Sequence, residues 1–157
     1  MEIRTLKEML AEVESIVRKE MDEIEAVRPI VYCQRQNGEM MIVPYKILPT
    51  LPQQLAQALK IGVELRALDV VTYVVVNQGQ MKVYDEGESQ TPQSESSDDE
   101  YWAVVIQGHN LVDCLTFLQR IDLTEGKPKL VPLHLSGCEK LPGGTWDNLL
   151  MDPSAVH

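Results

Sequence analysis

The chain has 157 residues, a formal net charge of −10 and an apolar content of 44%. That length is typical of one domain, and the apolar share is ordinary for a globular protein that builds its own core. The negative charge disfavours binding to nucleic acid and to anionic membranes, because phosphate backbones and lipid headgroups repel acidic proteins. No apolar run approaches the ~20 residues of a membrane-spanning helix.

The three cysteines, Cys33, Cys114 and Cys138, are odd in number and do not show the spacing of a disulfide framework. The first residues also lack the apolar core of a secretion signal. Both observations predict a cytoplasmic protein whose cysteines stay reduced.

The first predicted element along the chain is a helix. Thr5 and Glu8 have the spacing of a capping box, in which each side chain accepts a hydrogen bond from a free backbone amide of the other residue. Apolar residues then recur every three or four positions, and we expect the helix to continue until Pro29 excludes helical geometry at Arg28. The predicted buried stripe is Leu6, Leu10, Val13, Val17, Ile24 and Val27.

A β-hairpin is predicted next. Residues 30–36 and 39–45 read as strands, and Asn37-Gly38 between them suits a tight turn because both residues tolerate positive φ. Pro44 cannot donate a hydrogen bond in a sheet, which indicates an edge strand or a strand end.

The second predicted helix starts with another capping box, Thr50 and Gln53, and has Pro52 in its first turn. We interpret Gly62 as a position where the helix approaches the sheet closely. The predicted buried face is Leu51, Leu55, Ala58, Leu59, Gly62, Leu65 and Leu68.

Residues 70–77 form a continuous apolar run, which predicts a central strand covered on both faces. Gln78-Gly79 is expected to turn the chain so that residues 80–84 pair back. Residues 85–100 contain seven acids and no base. We therefore predict a solvated, mobile acidic loop there.

The remaining chain is predicted to be mostly β. Residues 101–107 read as a strand. Residues 111–121 fit either a helix or a strand, and we favour a strand that forms a hairpin with residues 129–135. The C-terminal residues are expected to be irregular, with one apolar cluster near Trp146 that docks on the domain.

The sequence therefore predicts an α+β fold with an antiparallel sheet of about six or seven strands and the order α-β-β-α-β-β-β-β-β. Two main helices are expected to pack on one face of that sheet. Residues 1–135 form a single domain in this interpretation, with the acidic loop at 85–100, and residues 136–157 form an irregular tail.

A search for reactive residues gives weak candidates. His109 with Cys114, and His134 with Cys138, could each present two zinc ligands, but the tight Cys-x-x-Cys spacing of strong zinc sites is missing. Cys114 could be activated as a nucleophile by a neighbouring histidine, although unpaired cysteines are usually inert core residues. No phosphate-binding glycine motif is present. We predict no catalytic residue, metal or cofactor.

Three functional hypotheses remain open. The first is a non-catalytic protein-interaction module, such as an adaptor, a small chaperone or a neutralising partner, which binds a basic protein and self-associates through helix 1. The second is a small-molecule-binding regulatory domain with a pocket between helix 2 and the sheet. The third is an enzyme with an unfamiliar site near His109, His134, Tyr101 and Trp102.

Overall fold

A computed structural model of the chain describes residues 4–82, 100–122, 126, 128–133, 146 and 149–150. Along the chain the elements are α1 (Leu6–Ile24), β1 (Ile30–Arg35), β2 (Met40–Pro44), α2 (Leu51–Ala67), β3 (Val70–Lys82), β4 (Glu100–Asn110), β5 (Cys114–Asp122) and β6 (Lys129–Leu133). The strands lie in one antiparallel sheet with the order β2-β1-β3-β4-β5-β6. The predicted α+β class and the antiparallel sheet are confirmed, and the elements follow the predicted order, with the single strand β3 in place of the two strands expected from residue 70 to residue 84.

The two helices cover opposite faces of the sheet, so the expectation that both pack on one face is wrong. In β1, Ile30 and Tyr32 join the core beneath α1, whereas Val31 and Cys33 join the core beneath α2. Alternate side chains of a strand point to opposite faces. Because β1 and β3 are apolar at both sets of positions, each face needs its own cover. We refer to these two surfaces as the α1 face and the α2 face.

Helix α1 starts where the sequence predicts and ends earlier. The Thr5 hydroxyl accepts a hydrogen bond from the Glu8 amide at 3.2 Å, and the Glu8 carboxylate accepts one from the Thr5 amide at 3.0 Å. Glu25 ends the helix in the left-handed conformation, with φ of 55°. The residues after Glu25 then lead the chain back into β1. The buried stripe differs from the predicted one, because it also contains Met9 and Met21, while Ile24 at the end of the helix is exposed.

Strand β3 is longer than predicted. The expected turn at Gln78-Gly79 is absent, because these residues continue the strand and pair with Val104 and Ala103 of β4. The β3–β4 pairing extends from Thr72 to Lys82. Long-range pairing with β4 therefore outweighs the local preference of Gln-Gly for a turn, and the sheet has six strands in the described part of the chain.

The uncertain segment 111–121 is mainly strand β5. It pairs with both β4 and β6, and a short turn at Leu111–Asp113 joins it to β4. In that turn the Asn110 side chain accepts hydrogen bonds from the amides of Val112 and Asp113. The strand interpretation is confirmed.

The predicted docking of the apolar C-terminal cluster is also confirmed. Trp146 and Leu149 are buried on the α2 face, and the Trp146 ring lies 4.6 Å from that of Tyr45. Leu149 also explains Gly62, because a side chain added there would come within 3.2 Å of the Leu149 carbonyl oxygen. Gly62 thus makes room for the C-terminal segment and not for the sheet.

Three predictions fall outside the described residues. These are the mobile acidic loop at 85–100, apart from Glu100 at the start of β4, most of the irregular tail at 136–157, and the candidate zinc ligands His134 and Cys138.

Candidate functional site

The structure brings His109 and Cys114 together, and in its described part they belong to no larger group of His, Cys, Asp and Glu side chains. The two residues are directly opposite each other in the β4–β5 pair. His109 is buried and stacks on the ring of Tyr73, with ring centroids 4.8 Å apart and planes inclined by 16°. His134 and Cys138, the other two candidate ligands, lie outside the described residues. In the described part of the chain, no three His, Cys, Asp or Glu side chains form a potential metal site.

Tyr73 next to His109 has a structural role. Its hydroxyl donates a hydrogen bond to the Trp146 carbonyl oxygen at 2.5 Å and accepts one from the Leu149 amide at 3.1 Å. The phenol therefore fixes the C-terminal segment to the sheet. Its hydroxyl is engaged by two backbone groups, which leaves it poorly suited to acid–base chemistry.

Trp102, one of the two aromatic candidates from the sequence, is remote from His109. Trp102 lies in the same strand, seven residues earlier, which corresponds to about 23 Å along a strand. The odd spacing also places it on the opposite face, where it lines a cavity with Met21 and Ile121 beside the end of α1. Trp102 and His109 therefore cannot serve one reaction centre.

Cys33 is not a suitable nucleophile either. It is fully buried between β2 and β3 on the α2 face, and burial raises the pKa of its thiol to about 12. A reactive cysteine needs a substantial thiolate fraction near neutral pH. Cys33 therefore behaves as a small core residue.

The first candidate binding surface is on α2. Leu51, Leu55, Leu59 and Val63 follow one another at four-residue spacing, and their exposed fractions are 63, 42, 57 and 58%. We call this row the α2 ridge. Residues four apart lie next to one another on a helix, so the ridge is a continuous apolar strip about 18 Å long.

The prediction that the leucines of α2 form its buried face is wrong for this row. The helix meets the sheet through other residues, namely Ala58, Ile61 and Leu65. The sequence does contain a signal of this exposed row, namely the total number of apolar positions in α2. Ile61 and Val63 are apolar but do not belong to the predicted stripe, so the apolar arc of α2 is wider than one sheet contact can cover.

The second surface is a groove around Trp102 on the α1 face. Two cavities of about 210 and 180 Å³ share Gln78 and Trp102 as common walls, and the Trp102 side chain is 47% exposed. We call these adjoining cavities the Trp102 groove. The first is lined mainly by apolar residues of the surrounding loops and β3, and the second includes Glu25 and Ile121. The remaining lining residues are Met21, Ala26, Val27, Pro29, Ile47, Val76, Asn77 and Pro128.

Negative charge is concentrated at the same end of the molecule. The last turns of α1 carry Asp22, Glu23 and Glu25, all exposed, and the final turn contains no base. The partial negative charge of a helix C-terminus makes acidic residues unfavourable there. The connection between β3 and β4, residues 83–99, starts and finishes at this end and contains six acids and no base.

The outer strands are poor sites for the addition of a further strand. β2 and β6 form the two edges of the sheet, each is five residues long, and each contains a proline (Pro44 and Pro132). Short strands with proline are a common protection of sheet edges. Binding through exposed side chains is therefore more favourable than binding through a sheet edge.

The chain matches no protein-family model, no curated protein and no solved structure. In the described residues, neither helix combines the length and the apolarity required to cross a bilayer. The function must therefore be inferred from the surfaces of the chain itself.

Proposed function

We propose that the protein is a non-catalytic protein-interaction module that self-associates through the α2 ridge. The observation that carries the proposal is the exposed row of Leu51, Leu55, Leu59 and Val63. A contiguous apolar strip on a protein surface commonly marks a contact with another protein. Four aligned side chains on one helix also have the spacing of the ridges by which helices pack against each other.

A second copy of the chain is the occupant that the charges favour. Helix α2 carries Lys60, Glu64 and Arg66, a net charge of +1, in a protein whose total is −10. Helix α1 contains six acids and three bases, a net charge of −3. Two copies that meet at α2 keep their acidic regions apart, and a two-fold axis allows the same strip to serve both partners.

The apolar stripe of α1 is a weaker basis for self-association. Leu6, Leu10, Val13 and Val17 are buried against the protein's own sheet. We therefore propose the dimer contact on α2 and not on α1.

The test is the molar mass in solution, measured by size-exclusion chromatography with light scattering over a range of concentrations. We expect a dimer for the natural sequence and a monomer for Leu55→Glu and Leu59→Glu, since a buried carboxylate in the contact is costly. Lys60→Gln is the matched control, because it changes the net charge by the same amount outside the ridge. A monomer at the highest concentration, or a dimer that survives both glutamate substitutions, would contradict the proposal.

The small-molecule alternative has less support. It places the pocket between α2 and the sheet, whereas the two cavities of the Trp102 groove lie on the α1 face and are each smaller than the 300–1,000 Å³ that is typical of ligand pockets. The enzyme alternative places an unfamiliar site near His109 and His134, and His134 lies outside the described residues. In the described residues His109 and Cys114 belong to no group of three His, Cys, Asp or Glu side chains, so this alternative also has less support.

A further inference from the structure

We propose that the Trp102 groove binds a basic segment of a partner protein, with an arginine or lysine side chain held between the Trp102 ring and the Glu25 carboxylate. This surface is separate from the α2 ridge. It lies on the α1 face, and its chemistry selects a different partner.

The position of the groove follows from the early end of α1. Because α1 stops at Ile24, neither of the helices in the described residues covers the α1 face beyond that point. Trp102 occupies this uncovered part and keeps almost half of its surface exposed, although tryptophan is a large apolar side chain. Apolar area in contact with water is costly, so an exposed indole between two cavities is a suitable contact for an incoming side chain.

Two features of the second cavity favour a cation. Trp102 and Glu25 line it together. The face of an indole attracts a guanidinium or ammonium group, and a carboxylate at the same cavity supplies the opposite charge. The C-terminal end of α1 adds the negative end of its helix dipole, without a basic residue in the last turn to neutralise it.

The first cavity favours an apolar neighbour of that cation. Val27, Ile47 and Val76 line it, and its polar contribution comes from Asn77 and Gln78 rather than from charged groups. In an extended peptide, side chains two residues apart point in the same direction. The preferred segment is therefore a basic residue and an aliphatic residue separated by one position.

The wider charge distribution supports the same partner. Six acids without a base belong to residues 83–99, which are joined to β3 and β4 at this end. An acidic region accelerates the approach of a basic segment and repels phosphate-bearing partners. Specificity then depends on contacts with the groove.

The experiment uses fluorescence anisotropy with a labelled peptide of the repeating sequence Leu-Gly-Arg-Gly, and glutamate replaces arginine in the control peptide. We expect the arginine peptide to bind the natural sequence and the glutamate peptide not to bind. Trp102→Ala and Trp102→Leu should each weaken binding by about tenfold, because leucine preserves apolar contact but not the ring face. Glu25→Gln should weaken binding by several-fold.

Asp22→Asn is the matched control for Glu25→Gln. It removes one negative charge from the same end of α1, but Asp22 does not line either cavity. We expect Asp22→Asn to bind almost as well as the natural sequence. Leu59→Glu on the α2 ridge should also leave peptide binding unchanged, which separates this proposal from self-association. Thermal unfolding of each variant verifies that it is folded.

Three results would overturn the proposal. The first is that the arginine peptide does not bind to the natural sequence. The second is that the Trp102 variants bind the arginine peptide as well as the natural sequence does, which would mean that charge alone attracts the peptide. The third is an equal loss for Asp22→Asn and Glu25→Gln, which would assign the effect to overall charge and not to the groove.

Discussion

Cys33 illustrates how burial of one titratable group connects the stability of the fold to pH. The thiol is fully buried, its Sγ lies 3.8 Å from the Val31 carbonyl oxygen, and burial raises its pKa from an ordinary value of 9.0 to about 12. Between these two values the unfolded chain loses a proton that the folded protein retains. The contribution of Cys33 to the free energy of unfolding is therefore complete below pH 9 and decreases as the pH rises towards 12.

We expect the free energy of unfolding to decrease above pH 9 more steeply for the natural sequence than for Cys33→Ala. The extra slope approaches about 1.4 kcal/mol per pH unit. Burial also raises the pKa of Tyr32 and of Tyr45, but these groups are present in both proteins and cancel in the comparison. Urea unfolding of the two proteins at a series of pH values measures the difference. Parallel stability curves would show that Cys33 ionises equally in both states.

Some residue-level features could be predicted from sequence and others could not. The Thr5–Glu8 capping box depends on residues three positions apart, so the sequence contains all the necessary information. The function of Gly62 depends on Leu149, which is 87 positions away along the chain. Nothing near Gly62 in the sequence identifies that neighbour.

At the level of elements, the contact between α1 and β4 depends on a glycine. Gly108 is buried beneath the first turns of α1, and a Cβ atom at this position would lie 2.8 Å from Leu6 Cδ1 and 3.0 Å from Leu10 Cγ. Such distances are too short for carbon atoms. The absence of a side chain in β4 therefore sets the separation of the helix from the sheet.

Gly108→Ala should lower the free energy of unfolding by about 1–3 kcal/mol, because the added methyl group forces α1 away from the sheet. Urea unfolding provides the measurement. The double variant Gly108→Ala with Leu10→Ala should cost less than the sum of the two single variants, since the truncated leucine makes room for the methyl group. Full additivity would mean that the methyl group does not contact Leu10.

The elements themselves were predicted best where a local signal determines them. The hairpin turn and the start of α2 at Thr50 follow from residues within the turn or cap, although in the turn only Gly38, with φ of 88°, and not Asn37 adopts positive φ. The sequence predicts a turn at Gln78-Gly79. It does not reveal that these residues pair with β4, because their partners lie some 25 positions away along the chain. The α2 ridge was assigned to the core because periodicity reveals which residues share a side of a helix, but not which side meets the sheet.

For the whole molecule, the alternation of side chains in β1 and β3 determines the three-layer arrangement of α1, sheet and α2. The apolar run at residues 70–77 did predict a strand covered on both faces, and this observation already requires a cover on each side. The expectation of two helices on one face conflicted with it. The acidic residues that support the further proposal are visible in the sequence, whereas the Trp102 groove requires α1 and β4 to be placed relative to each other.

The net charge of −10 leads to a prediction about the whole molecule. Folding brings these charges closer together, and two like charges 10 Å apart in water repel by about 0.4 kcal/mol. The ion pairs in the described residues, such as Arg4 with Glu12 at 2.6 Å, are at least partly exposed and contribute little to stability. Repulsion between like charges should therefore exceed attraction between opposite ones. Sodium chloride should then raise the free energy of unfolding, because it screens the repulsion.

Replacement of the six acids of residues 83–99 by their amides provides the matched control. The variant carries a net charge of −4, because six negative charges are removed from −10. We expect it to be less sensitive to salt than the natural sequence and at least as stable at low ionic strength. Urea unfolding at low and high sodium chloride concentration measures both properties. A natural sequence that loses stability in salt would instead mean that attractive pairs dominate its electrostatics, and the acidic end would then be compensated by bases within the fold.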